Sequence, residues 1–504
     1  MNVRPWYLHS LFLVYALVLI FNLYHHEMWR DELRAWALTN ASQSIPDLFH
    51  RLNFEGHPSL WYVLLFPFSR VSANPVFLQV LNAAAALGVA WLLIYRSPFT
   101  FVEKLVFCFG YYTCYEYAVI SRNYMIGFLL VLLICRGFLH WRRNLFWLSL
   151  ALFLLFQCNF YAILIGIGLS AGLLMLIGQA RLTFPKTTWI RIGLAVVIAL
   201  VGLAFALWTL IPPSDGSSYP YDRWFLVGDL RRIRDAFSGV FSGLLPVPPR
   251  TLNFWNHSWF QNTTVMAVFG MLFVALLAWM FRKDRPVLLI FLISFLLIFT
   301  FFYSKSIAQS RHLGHYFIVS LACYWLFRQN NSRTRPAWGV FPVAALVSLH
   351  LPGALWASYV DARSPFSNTQ RTVNFIQANF PAGTPLAGEL DGLVAALSSS
   401  LNQEIHFLNN GKTGYYNFNN LSYYPPPGVA MSRLIALVDS APKRRVVLAA
   451  ASRWPQDTAY ELPAVGQARL VYSSGRRYQI RCLAFFGGAI EEWENYYVYD
   501  CREL

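Results

Sequence analysis

Charge is what this 504-residue chain has least of: only 13% of its residues are Asp, Glu, Lys or Arg, about half the share in soluble globular proteins. Cysteine is scarce too, at seven residues, and none of them shows the spacing of a metal-binding motif. Cys108, Cys114, Cys135, Cys158 and Cys323 lie in or beside apolar runs, where a thiol packs as a small hydrophobe. There is no glycine-rich phosphate loop, no internal repeat and no low-complexity tract. A cleavable leader is also missing. The first apolar run is too long for a signal-peptide core and no small-residue cleavage site follows it, so it reads as a signal anchor.

What the chain does have is apolar length. With 57% apolar and 17% aromatic residues, it contains repeated runs of the 18–20 residues that cross a bilayer core. Eleven spans are expected, at about 7–24, 75–95, 103–120, 123–140, 145–158, 160–179, 191–211, 263–281, 286–303, 314–327 and 336–356. The net charge of +16 does not indicate nucleic acid. Residues 1–356 hold 27 Lys and Arg against 12 Asp and Glu, whereas residues 357–504 hold 13 against 12. The excess sits in the membrane half, and with the N-terminus inside, the short inner loops are the basic ones. This predicts a multi-pass membrane protein with membrane lipids as neighbours, a cytoplasmic N-terminus and a C-terminal domain outside.

The remaining charge is concentrated in the first outer loop, residues 25–74. It crowds Glu27, Arg30, Asp31, Glu32, Arg34, Asp47, Arg51, Glu55 and His57 between apolar flanks, and charges at a membrane surface need a functional or a snorkelling explanation. The run 60–68 is too short to span and is expected as an interfacial helix, with Trp61 and Tyr62 at headgroup depth. Three further outer segments follow. A short turn at 115–124 carries Glu116 and Arg122. The loop 212–262 has Phe225, Leu226, Leu230, Ile233, Phe237 and Phe241 at helical spacing around Arg231, Arg232 and Arg234. The segment 303–316 brings Lys305, Arg311, His312 and His315. From 357 to 504 the composition is that of a soluble domain. Helix-like stretches (372–379, 432–439) alternate with strand-like ones (446–449, 469–472, 478–485, 496–499), which predicts a small α/β fold. Cys482 and Cys501 are close enough in that pattern to be disulfide candidates in an oxidising compartment.

Carboxylates and many cations at the outer ends of several spans suit an anionic lipid headgroup beside a reacting hydroxyl. Arg and Lys stabilise phosphate oxygens and a carboxylate takes the proton. A lipid-phosphate leaving group is weakly basic and needs no general acid. The acidic pair Asp31-Glu32, a short amphipathic stretch and Gly56-His57-Pro58-Ser59-Leu60-Trp61-Tyr62 resemble the GT-C glycosyltransferases. The nearest branch holds bacterial proteins similar to protein O-mannosyltransferases and lipid A aminoarabinose transferase. The resemblance covers about residues 1–330 and is specific only in the first loop.

It implies a membrane-embedded catalytic domain over 1–356 that uses a polyprenyl-phosphate sugar on the outer face of the bacterial inner membrane, with a glycan, lipid or protein acceptor. It also implies catalytic roles for Asp31 and Glu32, and a donor-phosphate site made of Lys305, Arg311, His312, His57 and Arg122. His57 and Glu55 are the candidates should a divalent metal ion take part. Ser59 departs from the second proline of many relatives.

Each of these residues also has a plainer reading. Asp31 and Glu32 can cap a surface helix, Arg122 can pair with Glu116, and the Arg231 cluster can anchor lipid headgroups. Three rival functions compete with this reading, one of them a non-catalytic assembly factor whose working part is the outer domain. A lipid-linked-sugar transporter or flippase would place ionisable residues near mid-membrane. A polymerase or ligase would use a diphosphate-linked donor.

Overall fold

The computed structural model describes the chain except residues 1–4, 53–54, 181–183, 212–226, 306–308, 331–347, 390, 416–427 and 453–460. Its first half runs α1 (Pro5–His25), α2 (Arg30–Ala41), α3 (Ile45–Leu52), α4 (Leu60–Val71), α5 (Val76–Trp91), α6 (Phe101–Phe109), α7 (Tyr124–Phe138), α8 (Trp141–Phe156), α9 (Phe160–Ala180) and α10 (Lys186–Leu210). After these come α11 (Leu230–Leu244), α12 (Thr263–Phe281), α13 (Arg285–Lys305), α14 (Ser310–Leu313), α15 (His315–Asn330) and α16 (His350–Asp361). Among the described residues, six segments are long and apolar enough to cross a membrane: α1, α5 with its π-helical extension to Arg96, α9, α10, α12 and α13. A 21-residue helix is about 31 Å long, enough to span the hydrocarbon core.

Several expected spans are shorter. Segment 103–120 is helical only to Phe109; Gly110 is extended, and a π-helical turn, Tyr112–Glu116, follows. Most of the eleventh run, 336–347, lies outside the described residues, as do Phe225 and Leu226 of the expected amphipathic helix, which begins at Leu230 as α11.

Close helix approach is set by small residues. On α9, Gly168 and Gly172 form a GxxxG face against α13. A Cβ at Gly168 would lie 2.0 Å from Ser294 Oγ, and one at Gly172 2.3 Å from Ile290 Cγ1. Gly172→Leu is therefore expected to destabilise the bundle by about 1–3 kcal/mol through overpacking. A lower melting temperature in detergent would be the readout.

Two sequence expectations are corrected by burial. α4 has the expected extent, but Trp61 and Tyr62 are each 1% exposed, inside the protein rather than at headgroup depth. Its C-terminal end is tied to α2, where Arg70 donates to the backbone oxygens of Thr39 and Asn40. The segment 115–124 is no surface turn: every residue in it is buried. Glu116 accepts from Tyr111 Oη (2.9 Å) and Trp255 Nε1 (3.1 Å), so the expected Glu116–Arg122 pair does not form.

The C-terminal part holds α17 (Thr369–Asn379), α18 (Asp391–Leu401), α19 (Val429–Ser440) and seven strands: β1 (Leu386–Glu389), β2 (Ile405–Phe407), β3 (Thr413–Gly414), β4 (Arg445–Ala450), β5 (Ala468–Ser473), β6 (Arg476–Phe486) and β7 (Tyr496–Glu503). They form one sheet in the order β3-β2-β1-β4-β7-β6-β5, parallel at β2-β1-β4 and antiparallel elsewhere. Strand periodicity sends Val446, Leu448 and Ala450 to the face covered by Leu434 and Val438, and Val447 and Ala449 to the face covered by Val373 and Val394. Cys482 lies opposite Tyr499, and Cys501 opposite Ile480. That diagonal placement is wider than a disulfide allows, and both thiols are free.

Candidate active site

α2 begins at the end of the bundle that carries the sheet domain, and its first turn displays two carboxylates with different surroundings. Glu32 is fully buried. Its Oε2 accepts the backbone N–H of Trp29 (3.1 Å), closing the helix N-terminus, and meets His26 Nε2 at 3.1 Å. Its Oε1 accepts the backbone N–H of Ser121. His26 Nδ1 lies 2.8 Å from Asp361 Oδ2, which also accepts from Tyr115 Oη at 2.9 Å. The network thus pins α2 to the 115–122 segment and to the end of α16. His26 is buried; burial lowers its pKa, but Asp361 and Glu32 outweigh this and raise it to about 10.

Asp31 has a different environment. Its side chain keeps 26% of its exposure, and its Oδ2 accepts from Arg311 Nη2 at 3.1 Å across 280 residues of sequence. Arg30 Nε stands 3.7 Å from Oδ1, and Arg122 donates to the Asp31 backbone oxygen. Burial raises the Asp31 pKa, but Arg311, Arg122, Arg30 and Arg34 together overcome it and bring it down to about 2. Arg311 lies over the Trp29 ring at 5.0 Å and the Trp255 ring at 5.4 Å, which fixes its planar fork.

Arg122 Nη2 approaches His57 Nε2 at 3.0 Å. Burial, then Arg122, lower the His57 pKa to about 3, so its ring is neutral and accepts through Nε2. His312 stacks on Tyr161, and burial with the Arg311 charge holds its pKa well below the usual range. Among the described residues, four buried nitrogens on the Arg and His side chains of this cluster have no hydrogen-bond partner: Arg311 Nη1, Arg122 Nε, His57 Nδ1 and His312 Nδ1. Buried donors normally find a partner in protein, water or ligand. The cluster, with its carboxylate at the edge, is built to receive an oxyanion.

The structure therefore brings together Asp31, Arg311, Arg122, His57 and His312. Glu32 sits behind them in the His26 network, and Lys305 closes α13 without joining the cations that act most on Asp31. Arg234 pairs with Asp235, and Arg232 donates to the Tyr303 backbone oxygen, both apart from this cluster. Glu55 is gripped by Arg34 (2.8 and 2.6 Å). Among the described residues no group of three or more His, Cys, Asp or Glu side chains could hold a metal ion. Glu55 and His57 are each engaged by a guanidinium, that of Arg34 and that of Arg122.

Sequence reading missed the aromatic clamp and the contribution of the C-terminal domain. Arg30 N donates to Glu494 Oε1 at 2.9 Å, and Ser399 Oγ donates to the Leu33 backbone oxygen on α2 at 3.2 Å. Burial raises the Glu494 pKa to about 8 against the pull of Arg30. No local motif marks Trp255, Asp361 or Glu494; their contacts span hundreds of residues.

No protein-family model matches this chain, and no curated protein does. Among solved structures it is similar to ArnT from Cupriavidus metallidurans bound to undecaprenyl phosphate, at 14% identity and TM-score 0.54, over 98% of each chain. The apo state of the same protein matches at 14% identity and TM-score 0.52, over 97% of each. The match runs through the C-terminal domain, beyond the 330 residues of the first-loop resemblance. With its helical bundle and seven-stranded sheet domain, this membrane protein has the fold of ArnT.

Proposed function

We propose that the chain is an inverting glycosyltransferase that moves a sugar from a polyprenyl-phosphate donor to an acceptor hydroxyl at the outer face of the inner membrane. The observation that supports this most is the ion pair of Asp31 with Arg311 among four buried nitrogens that lack partners. The neighbour bound to undecaprenyl phosphate agrees with a lipid phosphate as the anion. In this reading Arg311, Arg122, His57 and His312 hold the donor phosphate. The acceptor oxygen attacks the anomeric carbon, the bond from that carbon to the phosphate oxygen breaks, and polyprenyl phosphate leaves with both bonding electrons. The hydroxyl proton passes to Asp31.

An ionised Asp31 with a pKa near 2 is a weak base. A bound phosphate would take over the cations that depress it, so the donor itself raises the basicity of Asp31. The hydroxyl in turn becomes acidic as its oxygen bonds to carbon. Glu32 then acts as a positioning residue, holding α2 through His26. The cluster around Asp31 lies beyond the ends of α1 and α13 rather than inside a span, which favours transfer over transport.

Arg311→Ala tests the phosphate assignment. Losing a charge-assisted contact is expected to weaken binding of undecaprenyl phosphate about tenfold or more, with the acceptor KM nearly unchanged. A change confined to the acceptor KM would remove Arg311 from the phosphate site.

A further inference from the structure

On the C-terminal domain, a cleft of about 670 Å³ opens beside the starts of β1 and β2. That is within the range of roughly 300–1,000 Å³ typical of small-molecule sites. It is lined by the apolar Pro385, Leu401 and Leu437 and by the polar Gln377, Asn402, Gln403, His406, Thr413 and Tyr415. Such a lining is amphiphilic in the way a sugar ring is: apolar surface for the C–H face, amides and hydroxyls for the rim of OH groups. Gln403 Nε2 is already committed to the Thr384 backbone oxygen at 2.8 Å, and His406 Nδ1 is within 2.9 Å of Thr413 Oγ1. Burial and the nearby Arg433 lower the His406 pKa, so the ring is uncharged at neutral pH. Among the described residues that line it, Glu404 is the one carboxylate and none is Lys or Arg. Phosphate-bearing ligands are thereby disfavoured.

The position of the cleft matters as much as its lining. Leu401 and Asn402 end α18, whose Ser399 is bonded to Leu33, two residues past Asp31 on α2. Tyr415 packs partly against the core of the membrane half, and its backbone oxygen accepts from Ser398 Oγ. The cleft therefore borders α18, the helix that packs against the helix bearing Asp31.

We propose that this cleft binds a neutral oligosaccharide, the carbohydrate part of an acceptor whose end reaches Asp31. The acceptor role rests on the transferase reading; the binding of sugar does not. The test uses the full-length protein in lipid nanodiscs, with maltotetraose and mannotetraose as probes in saturation-transfer NMR. The expected result is transfer to ring protons of at least one probe, reduced fivefold or more by Gln377→Ala and by Tyr415→Ala (about 1 kcal/mol). Undecaprenyl phosphate binding should be unchanged in both variants. Because Tyr415→Ala removes packing, the exposed Gln377 gives the decisive comparison, with melting temperatures as control. No transfer to either probe, or transfer indifferent to Gln377→Ala, overturns the proposal. Inactivity of the enzyme with intact sugar binding would instead count against the transferase reading alone.

Discussion

Asp31→Asn is expected to slow sugar transfer by about 10²–10⁴-fold, the usual worth of a positioned general base, in a protein that still folds. Asparagine preserves shape and can still accept from Arg311, so the Glu32 network that closes α2 is not disturbed. Removing the negative charge also frees Arg311 for an anion, so undecaprenyl phosphate should bind at least as tightly as before. That combination, slow turnover with retained or improved donor binding, separates a base from a mere partner of Arg311. The measurement is kcat together with the lipid's dissociation constant. Wild-type turnover in the variant would sink the mechanism. Weak donor binding with normal kcat would move Asp31 into the phosphate site.

His26→Ala should have the largest effect on stability. It leaves Glu32 and Asp361 buried without the cation between them, and breaking such a pair from one side costs about 3–5 kcal/mol. The expected readout is a markedly lower melting temperature in detergent. Asp361→Asn should cost less, because the amide can still accept from Tyr115 and His26.

The pH dependence follows from the sign of the shift. The folded-state pKa of His26, about 10, lies above its ordinary value of 6.5. Its stabilisation is thus complete below pH 6.5 and is lost as pH rises toward 10. Glu494, raised from 4.5 to about 8, acts in the same direction. The folded state binds the extra proton, so raising the pH from 4.5 to 8 destabilises it. Melting temperature should therefore fall steadily on the alkaline side. A profile flat between pH 6.5 and 10, with His26→Ala matching the parent, would show that the network carries no such charge.

Much of the site was legible because the first loop concentrates charge in an otherwise apolar sequence. Asp31, Arg122, Arg311, His57 and His312 could each be singled out by being polar beside an apolar run. Their roles were less legible, since neighbours in sequence point in different directions on a helix. Asp31 and Glu32 are adjacent, yet one faces a cluster of cations and the other a buried histidine. The segment 115–124 read as a surface turn because its Glu, Arg and Asn suggested water; their partners are backbone and side chains from distant elements.

In the C-terminal domain the longer strands were visible by alternation. β1 and β2, at four and three residues, are too short for any periodicity to show. The helix α18 between them went unread for the same reason, as its small-residue pattern does not distinguish helix from loop.

Composition and pattern alone determine that this chain lives in a membrane, that an α/β domain follows the bundle, and where its few charges sit, because hydrophobic run length and residue period are local properties. Which charges meet is decided only by folding: Arg311 crosses 280 residues to reach Asp31, and Asp361 crosses 335 to reach His26. Those pairings depend on how helices pack at distances set by residues such as Gly168 and Gly172, and no window of sequence contains both partners.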